Sequence, residues 1–306
     1  MPSPQDDPSP SPTQKPTPGH TAYSLDEMRR YWRLHSKIWS DLDREEDPEG
    51  LTNVCFNGSP LWLNKFAAHC QRKTVTRLLE SVPEVRGLRA LDVGCGTGRW
   101  SRLLSGRGAL TTGIDLQSES LRENQRRLPA CRFVEMSADK LAFSAGSFDL
   151  ANSVTVLQHV PYDAQVEALR EIRRVLVKGG HFIMLEAIID RGPHVFSRSR
   201  DEWIREGAAA GLLLHKTVLY DFAPLLYGMR ALAGLARGGS GQEALPPVEE
   251  FVTKFKTIGE RRGLVHGAYR AVLHAATMLS YPIEPIVSIT GPASIAHHAG
   301  FVFRAV

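Results

Sequence analysis

The chain has 306 residues, of which 42% are hydrophobic and 23% are charged. That length and composition predict a soluble globular protein of one or two domains. The formal net charge of +4 is too small to indicate a nucleic-acid-binding surface, and no stretch reaches the roughly 20 apolar residues of a membrane span. The four cysteines have the spacing of neither a zinc site nor a redox pair, so we expect a reduced, cytoplasmic protein without a metal.

The first part of the chain divides into two segments. Residues 1–20 carry seven prolines and almost no large apolar side chains, which predicts a disordered tail. They also lack the basic start and apolar centre of a signal peptide. Residues 21–80 have apolar and aromatic side chains at near-helical spacing, so we expect helices there.

Residues 81–222 predict strands that alternate with helices. The strands are the short apolar segments LRALDV, ALTTGIDL, CRFVEM, FDLANSV, HFIMLEAII and LLLHKTVLYDF. Ser120 and Glu123 have the spacing of a capping box and predict the start of the second helix. The helix before the fifth strand should carry four apolar residues on one face, namely Val166, Leu169, Ile172 and Leu176. This alternation indicates an α/β fold with a doubly wound, parallel sheet.

The final strand, GFVFRAV at residues 300–306, is separated from the sixth strand by a long apolar segment. Residues 223–299 are too apolar for an open loop and are broken by glycines at 238, 239 and 241, so we expect a helical insert. Such an insert could cap the mouth of a site, attach to a membrane surface, or form the interface of a homodimer. The cap is our preferred interpretation.

A glycine-rich turn follows the first predicted strand. Gly94, Gly96 and Gly98 alternate with other residues, and such a turn lets a ligand approach bare backbone next to the start of a helix. Asp115 ends the second strand, where a carboxylate can bind both hydroxyls of a ribose. The glycine spacing differs from the G-x-G-x-x-G pattern of dinucleotide-binding proteins, which argues against a nicotinamide oxidoreductase.

These segments together resemble the ordered motifs of class I S-adenosylmethionine-dependent methyltransferases. The resemblance rests on LDVGCGTG, GIDL, SADKLAF, FDLANSVTVLQHV and LREIRRVLVKGGHFIMLE, in that order, and covers about residues 62–220 and the last strand. It implies a Rossmann-like fold with a seven-stranded sheet, S-adenosylmethionine as the cofactor, and a helical segment at residues 21–80 that covers the cofactor site.

The resemblance also implies a set of cofactor-binding residues. The methionine part would lie against the glycine turn and the end of the fourth strand, with Asp92 near its amino group. The ribose would bind Asp115, and the adenine would lie near Asp139. The full implied set is Asp92, Gly94, Gly96, Gly98, Asp115, Leu116, Ala138, Asp139, Ser153 and Val154.

Two residues are candidates for contact with the methyl acceptor. His159 follows the fourth strand, where the family's substrate crevice opens, and could act as a general base. The same histidine could instead brace the cofactor loop, and we favour that role. Glu186 is the one charged residue in the apolar fifth strand, so it must be paired, hydrated or facing the crevice.

Motifs that this sequence lacks exclude some classes of methyl acceptor. The stretch NSVT after the fourth strand lacks the pattern of enzymes that methylate nucleic-acid bases, and the carboxylates of metal-dependent catechol-type enzymes are absent. We therefore expect methyl transfer to an oxygen or nitrogen of a small or medium-sized metabolite in specialised metabolism. The alternatives are a C-methyltransferase of a quinone or lipid precursor and a cofactor-binding regulatory protein without turnover. The chain could be a monomer or a homodimer, with membrane-surface association left open.

Overall fold

The computed structural model describes residues 23–39, 46–51, 59–189, 194–221, 264–290 and 296–306, with the isolated positions 247 and 250. The predicted disordered tail at residues 1–20 lies outside these residues. Seven strands form a single sheet. They are β1 (Arg89–Val93), β2 (Leu110–Asp115), β3 (Arg132–Glu135), β4 (Phe148–Val154), β5 (Leu176–Ala187), β6 (Leu212–Tyr220) and β7 (His298–Ala305).

The strand order is β3-β2-β1-β4-β5-β7-β6, which confirms the predicted seven-stranded, Rossmann-like architecture. The pairs from β3 through β5 are parallel, so their carboxyl ends share one edge. Strand β7 runs antiparallel to both β5 and β6. Its first residue, His298, pairs with Ala187 and Tyr220 at the carboxyl ends of those strands. Because the segment between β6 and β7 leaves and returns at the same edge, β7 must run in the opposite direction.

The helices lie on both faces of the sheet. They are α1 (Leu25–Trp39), α2 (Leu61–Leu79), α3 (Arg99–Gly106), α4 (Ser118–Arg127), α5 (Tyr162–Val175), α6 (Arg200–Ala209) and α7 (Leu264–Thr290), with a short 3-10 turn at Leu157–His159. One apolar core joins α2 and α3 to the sheet, and a second core joins α5 and α6 to the opposite face. Because both faces are covered, nearly all residues of β1 and β4 and of the second half of β5 are buried.

Several boundaries differ from the sequence prediction. Helix α5 ends at Val175 and Leu176 begins β5, so Leu176 does not extend the helical face and the strand starts five residues before His181. Strand β7 begins at His298, two residues earlier than predicted. The predicted capping box is wrong. Helix α4 begins at Ser118 after Gln117, and the Ser120 hydroxyl lies inside the helix and donates back to the Gln117 side chain.

Candidate functional site

A cavity opens at the carboxyl edge of the sheet, where β1, β2, β3 and β4 end. Its volume is about 970 Å³, a figure that includes space open to solvent. The turns that follow these strands form its floor and sides, and helix α1 forms a further wall. The sheet topology thus brings together segments that are far apart in sequence.

The glycine turn after β1 forms part of the cavity wall. Gly94 and Gly96 line the cavity and have positive φ angles of +65° and +49°. A Cβ atom on Gly94 would lie 2.4 Å from Cγ2 of Val156, so no side chain fits at this position. Gly98 also has a positive φ, of +76°, but it is buried as the residue before α3 and does not line the cavity. The first two glycines therefore leave bare backbone facing the cavity.

Asp115, at the end of β2, faces the same cavity beside Leu116. Its Oδ2 accepts a hydrogen bond from the Gly96 N–H at 2.8 Å, and its Oδ1 accepts one from the Gln117 N–H at 3.0 Å. Burial raises the pKa of Asp115, while these donors favour its ionised form. A carboxylate has about four lone-pair directions, so acceptor positions remain for the hydroxyls of a ligand.

The turn after β3 places Ala138 and Asp139 on the cavity wall, as predicted for an adenine contact. Both oxygens of the Asp139 carboxylate are engaged. The Ser137 hydroxyl donates to Oδ1, and Nη2 of Arg29 lies 2.8 Å from Oδ2. Any ligand that uses Asp139 as an acceptor must therefore share it with an arginine of α1.

Helix α1 contributes one face to the cavity. Leu25, Met28, Arg29 and Trp32 line it, at the spacing of successive turns of one helical face. The helix begins at a capping box that the sequence analysis did not identify, in which Ser24 and Glu27 exchange hydrogen bonds with each other's backbone N–H. The signals were present in the sequence as an S-x-x-E spacing followed by an amphipathic pattern.

His159 lies in the cavity wall, and both of its ring nitrogens have partners. Nδ1 lies 3.0 Å from the carbonyl oxygen of His194, and Nε2 lies 3.2 Å from Nε2 of Gln158. The Gln158 amide oxygen accepts from the Ala187 N–H at 2.7 Å, which leaves its NH₂ group as the donor to His159. A carbonyl accepts only from a protonated nitrogen, so this network defines a neutral imidazole with its proton on Nδ1.

The surroundings of His159 weaken it as a base. Burial lowers the pKa of His159 to about 4, despite the hydrogen bond to the His194 carbonyl. Its ring packs edge-on against Trp32 with centroids 4.9 Å apart and stacks on His194 with centroids 5.6 Å apart. This environment supports the bracing role for His159 over that of a general base.

Glu186 does not line the cavity, so the geometry does not support its predicted contact with an acceptor, which stays a prediction. The side chain is fully buried, and its carboxylate accepts hydrogen bonds from three successive backbone N–H groups of the turn after β4. Oε1 lies 3.3 Å and 3.0 Å from the nitrogens of Val156 and Leu157, and Oε2 lies 3.0 Å from that of Gln158. Burial raises the pKa of Glu186 to about 8, against the effect of these donors. Glu186 thus fixes the turn that carries Val156 and His159.

Two other predicted cofactor residues lie outside the cavity wall. Asp92 is buried, with its carboxylate accepting from the Ser101 hydroxyl at 2.6 Å and from the Asn152 amide at 2.9 Å. Burial raises the pKa of Asp92 to about 6. Ser153 is also buried and away from the wall, whereas the next residue, Val154, lines the cavity. Asp92 therefore ties β1 to β4 and α3, and its predicted position near the amino group of the cofactor stays a prediction.

The described part of the predicted insert is helix α7, which packs on α2. The rings of Phe66 and Tyr281 lie 4.9 Å apart, and Nζ of Lys73 lies 3.1 Å from Oε2 of Glu284. No residue of α7 that the structure describes lines the cavity. The predicted cap over the crevice is thus not formed by α7. Apart from positions 247 and 250, residues 223–263 and 291–295 of the predicted insert lie outside the described residues.

Within the described residues, no group of three or more histidine, cysteine, aspartate or glutamate side chains could hold a metal ion. None of the described helices is long and apolar enough to cross a membrane.

Comparisons with known proteins agree with the site. A family model described as a methyltransferase domain matches residues 91–184. A malonyl-acyl-carrier-protein O-methyltransferase of Enterobacter lignolyticus is 30% identical over 181 residues, which cover 54% of this chain and 71% of that protein. A ubiquinone biosynthesis O-methyltransferase of Psychrobacter cryohalolentis is 31% identical over 176 residues, covering 55% of this chain and 64% of that protein.

Among solved structures, the crystal structure of the 4+2 cyclase SpnF matches with a TM-score of 0.55 and 18% identity, covering 94% of this chain and 98% of that one. This match supports the fold. Together with the family model and the sequence relatives, it shows that the chain belongs to the class I S-adenosylmethionine-dependent methyltransferases. The chain is accordingly an enzyme that transfers a methyl group.

Proposed function

We propose that the cavity binds S-adenosylmethionine and that the methyl acceptor is an acidic oxygen, a phenol or a carboxylic acid, on a small or medium-sized metabolite. The observation that carries the cofactor assignment is the pairing of bare glycine backbone with Asp115 on one wall. At Gly94 a Cβ would collide with Val156, so only glycine lets the turn keep this position beside the cavity. Asp115 faces the same space with acceptor positions available.

The residues of the cavity would divide the cofactor between them. Gly94, Gly96 and Val154 would lie along the methionine part. Asp115 would accept hydrogen bonds from the ribose hydroxyls, and Ala138 with Asp139 would lie beside the adenine. Bound S-adenosylmethionine would supply a methyl group on a sulfonium: attack of the acceptor oxygen on the methyl carbon would form the new C–O bond and break the C–S bond, with S-adenosylhomocysteine as the leaving group.

The choice of an acidic acceptor follows from the groups around the cavity. Among the lining residues that the structure describes, His159 is the one imidazole, and burial lowers its pKa to about 4. An imidazole with so low a pKa is a poor acceptor for the proton of an aliphatic alcohol. A phenol or carboxylic acid gives up its proton to water far more readily, so the enzyme needs only to align the ionised oxygen. The O-methyltransferase relatives also favour an oxygen acceptor over a nitrogen.

We further propose that α1 covers the bound cofactor and that the insert sets the choice of acceptor. Four side chains of α1 already form one cavity wall. The two ends of the insert meet at the carboxyl edge, where Nδ1 of His298 lies 2.8 Å from Oδ2 of Asp221. Replacing residues 223–297 with a short Gly-Ser link should preserve S-adenosylmethionine binding and abolish turnover of the acceptor. Normal acceptor kinetics in that variant would contradict a role for the insert.

The reaction is tested by release of S-adenosylhomocysteine across matched acceptors. Phenols and carboxylic acids should react, aliphatic alcohols of the same size should not, and mass spectrometry should detect a methyl ether or ester. His159→Gln should retain turnover to within about tenfold, because it removes no catalytic base. A loss of about 100-fold in that variant at saturating cofactor, or equal use of aliphatic alcohols, would contradict the proposed acceptor class.

A further inference from the structure

A second cavity, of about 710 Å³, lies on the flank of the sheet between α2, α3 and the end of α4. Among the described residues, its charged lining is one carboxylate and five guanidinium groups, those of Glu49, Arg72, Arg99, Arg102, Arg107 and Arg127. We call it the arginine cavity. Nothing in the proposed methyl transfer uses these arginines.

Three of the arginines are held in place by polar contacts. Nη2 of Arg72 lies 2.7 Å from Oε1 of Glu49, and Nη2 of Arg99 donates to the Gln71 side chain at 2.6 Å. Arg127 donates to the carbonyl oxygen of Pro48 at 2.7 Å. These contacts fix the guanidinium groups before any ligand arrives, which lowers the entropy lost on binding.

The other two arginines have no such partner. Within the part of the chain that the structure describes, the guanidinium groups of Arg102 and Arg107 make no hydrogen bond or ion pair, although both side chains line the cavity. One carboxylate cannot balance five guanidinium groups, and like charges in a concave site repel one another. An anion with more than one negative charge would relieve that repulsion and could accept hydrogen bonds from the guanidinium groups of Arg102 and Arg107.

The arginine cavity is separate from the proposed cofactor site. Thr97 lies on the walls of both cavities, and its hydroxyl donates to the Glu49 carbonyl oxygen at 2.8 Å. Gly94, Gly96 and Asp115 line only the cofactor cavity. Thr97 and Glu49 therefore form a partition between the two spaces.

We propose that the arginine cavity is a second binding site, which takes a compact phosphate-bearing ligand such as a pyrophosphate or a phosphate ester. Guanidinium groups match phosphate oxygens with paired hydrogen bonds, and several of them converge here. The concave shape between three helices fits a small anion better than the flat surface of a bilayer. The site is independent of the proposed acceptor.

Calorimetric titration with inorganic pyrophosphate at low ionic strength tests the proposal. We expect saturable binding of one pyrophosphate per chain, much weaker binding of succinate, and an unchanged affinity when the protein is saturated with S-adenosylhomocysteine. Equal affinity for succinate would overturn the phosphate assignment. Displacement by S-adenosylhomocysteine would overturn the second site, because the arginines would then belong to the cofactor cavity.

Matched variants distinguish binding at a specific site from general attraction of the anion to a positively charged surface. Arg102→Gln should weaken pyrophosphate binding by about tenfold or more, the expected loss of a charge-assisted contact. Arg122→Gln removes the same charge from an exposed position on α4 outside the cavity and should change the affinity less than twofold. Glu49→Gln should strengthen binding, because it removes the one carboxylate of the lining. Equal losses in Arg102→Gln and Arg122→Gln, or no saturable binding, would refute the proposal.

Discussion

Gly94 and Val156 lie close together in the wall of the proposed cofactor cavity, and their contact supports a quantitative prediction. In Gly94→Ala the new Cβ would lie 2.4 Å and 2.6 Å from the two methyl groups of Val156 and 3.0 Å from its Cβ. Because both methyl groups are too close, rotation of the Val156 side chain does not relieve the overlap. The variant also places an L-residue at a φ of +65°.

The cost of the overlap with Val156 and the cost of the positive φ angle can be measured separately, because another glycine of the chain has a similar φ and no close neighbour. Gly87 has a φ of +78° and no atom within 4 Å of an added Cβ, so Gly87→Ala carries the backbone cost alone, about 1–2 kcal/mol. Gly94→Ala carries that cost and an overpacking cost of about 1–3 kcal/mol. We therefore expect Gly94→Ala to lower the free energy of unfolding by about 2–5 kcal/mol, or to displace the turn after β4.

Chemical denaturation and calorimetric titration with S-adenosylmethionine measure both effects. Gly87→Ala should leave cofactor affinity unchanged, whereas Gly94→Ala should weaken it at least tenfold by narrowing the cavity or moving the turn. Adding Val156→Ala to Gly94→Ala should recover most of the overpacking cost, because it removes both overlapping methyl groups. Equal stability and equal affinity in Gly94→Ala and Gly87→Ala would refute the reasoning.

Three further predictions concern the rest of the site. Burial lowers the folded pKa of His159 to about 4, below its unfolded value of 6.5, so the unfolded chain binds more protons and stability is lost as the pH falls through that window. The loss is about 3 kcal/mol, and denaturation at several pH values should show it reduced in His159→Gln but unchanged in the exposed-site control His215→Gln. Glu186→Gln should lower stability by about 1–3 kcal/mol, because its NH₂ group would face at least one backbone N–H, and calorimetry should find weaker cofactor binding. Trp32→Ala should weaken cofactor binding several-fold by opening the α1 wall, while Trp62→Ala, outside the cavity, should leave affinity unchanged.

The fold was largely predictable because its strands are buried on both faces. Continuous apolar runs such as those of β1 and β5 mark central strands without any knowledge of their neighbours. The predicted boundaries of helices and strands were wrong where tertiary structure overrides a local sequence signal. Ser120 and Glu123 have capping spacing, yet the helix starts at Ser118, because the chain has already turned back from β2 by Gln117.

The site was predictable wherever it lies at a strand end. Gly94, Gly96, Asp115 and Asp139 all face one cavity because parallel strands end at a common edge. The role of Glu186 was not predictable from the sequence. Its carboxylate binds three backbone N–H groups of the turn after β4, and the sequence of β5 contains no information on where that turn lies. The pairing of Arg29 with Asp139 depends on how α1 docks, which no local pattern encodes.

The central claim, that this cavity holds S-adenosylmethionine through Asp115, is tested most directly by calorimetric titration of the cofactor into the wild type and two variants. Asp149 is the control, since it lies in β4 near its amino end, paired with Arg89 at 2.8 Å and away from the cavity. The account predicts one cofactor per chain, an affinity reduced about 10- to 150-fold in Asp115→Ala, and an unchanged affinity in Asp149→Ala. Absence of saturable binding to the wild type, or equal affinities in the wild type and a folded Asp115→Ala, would contradict it.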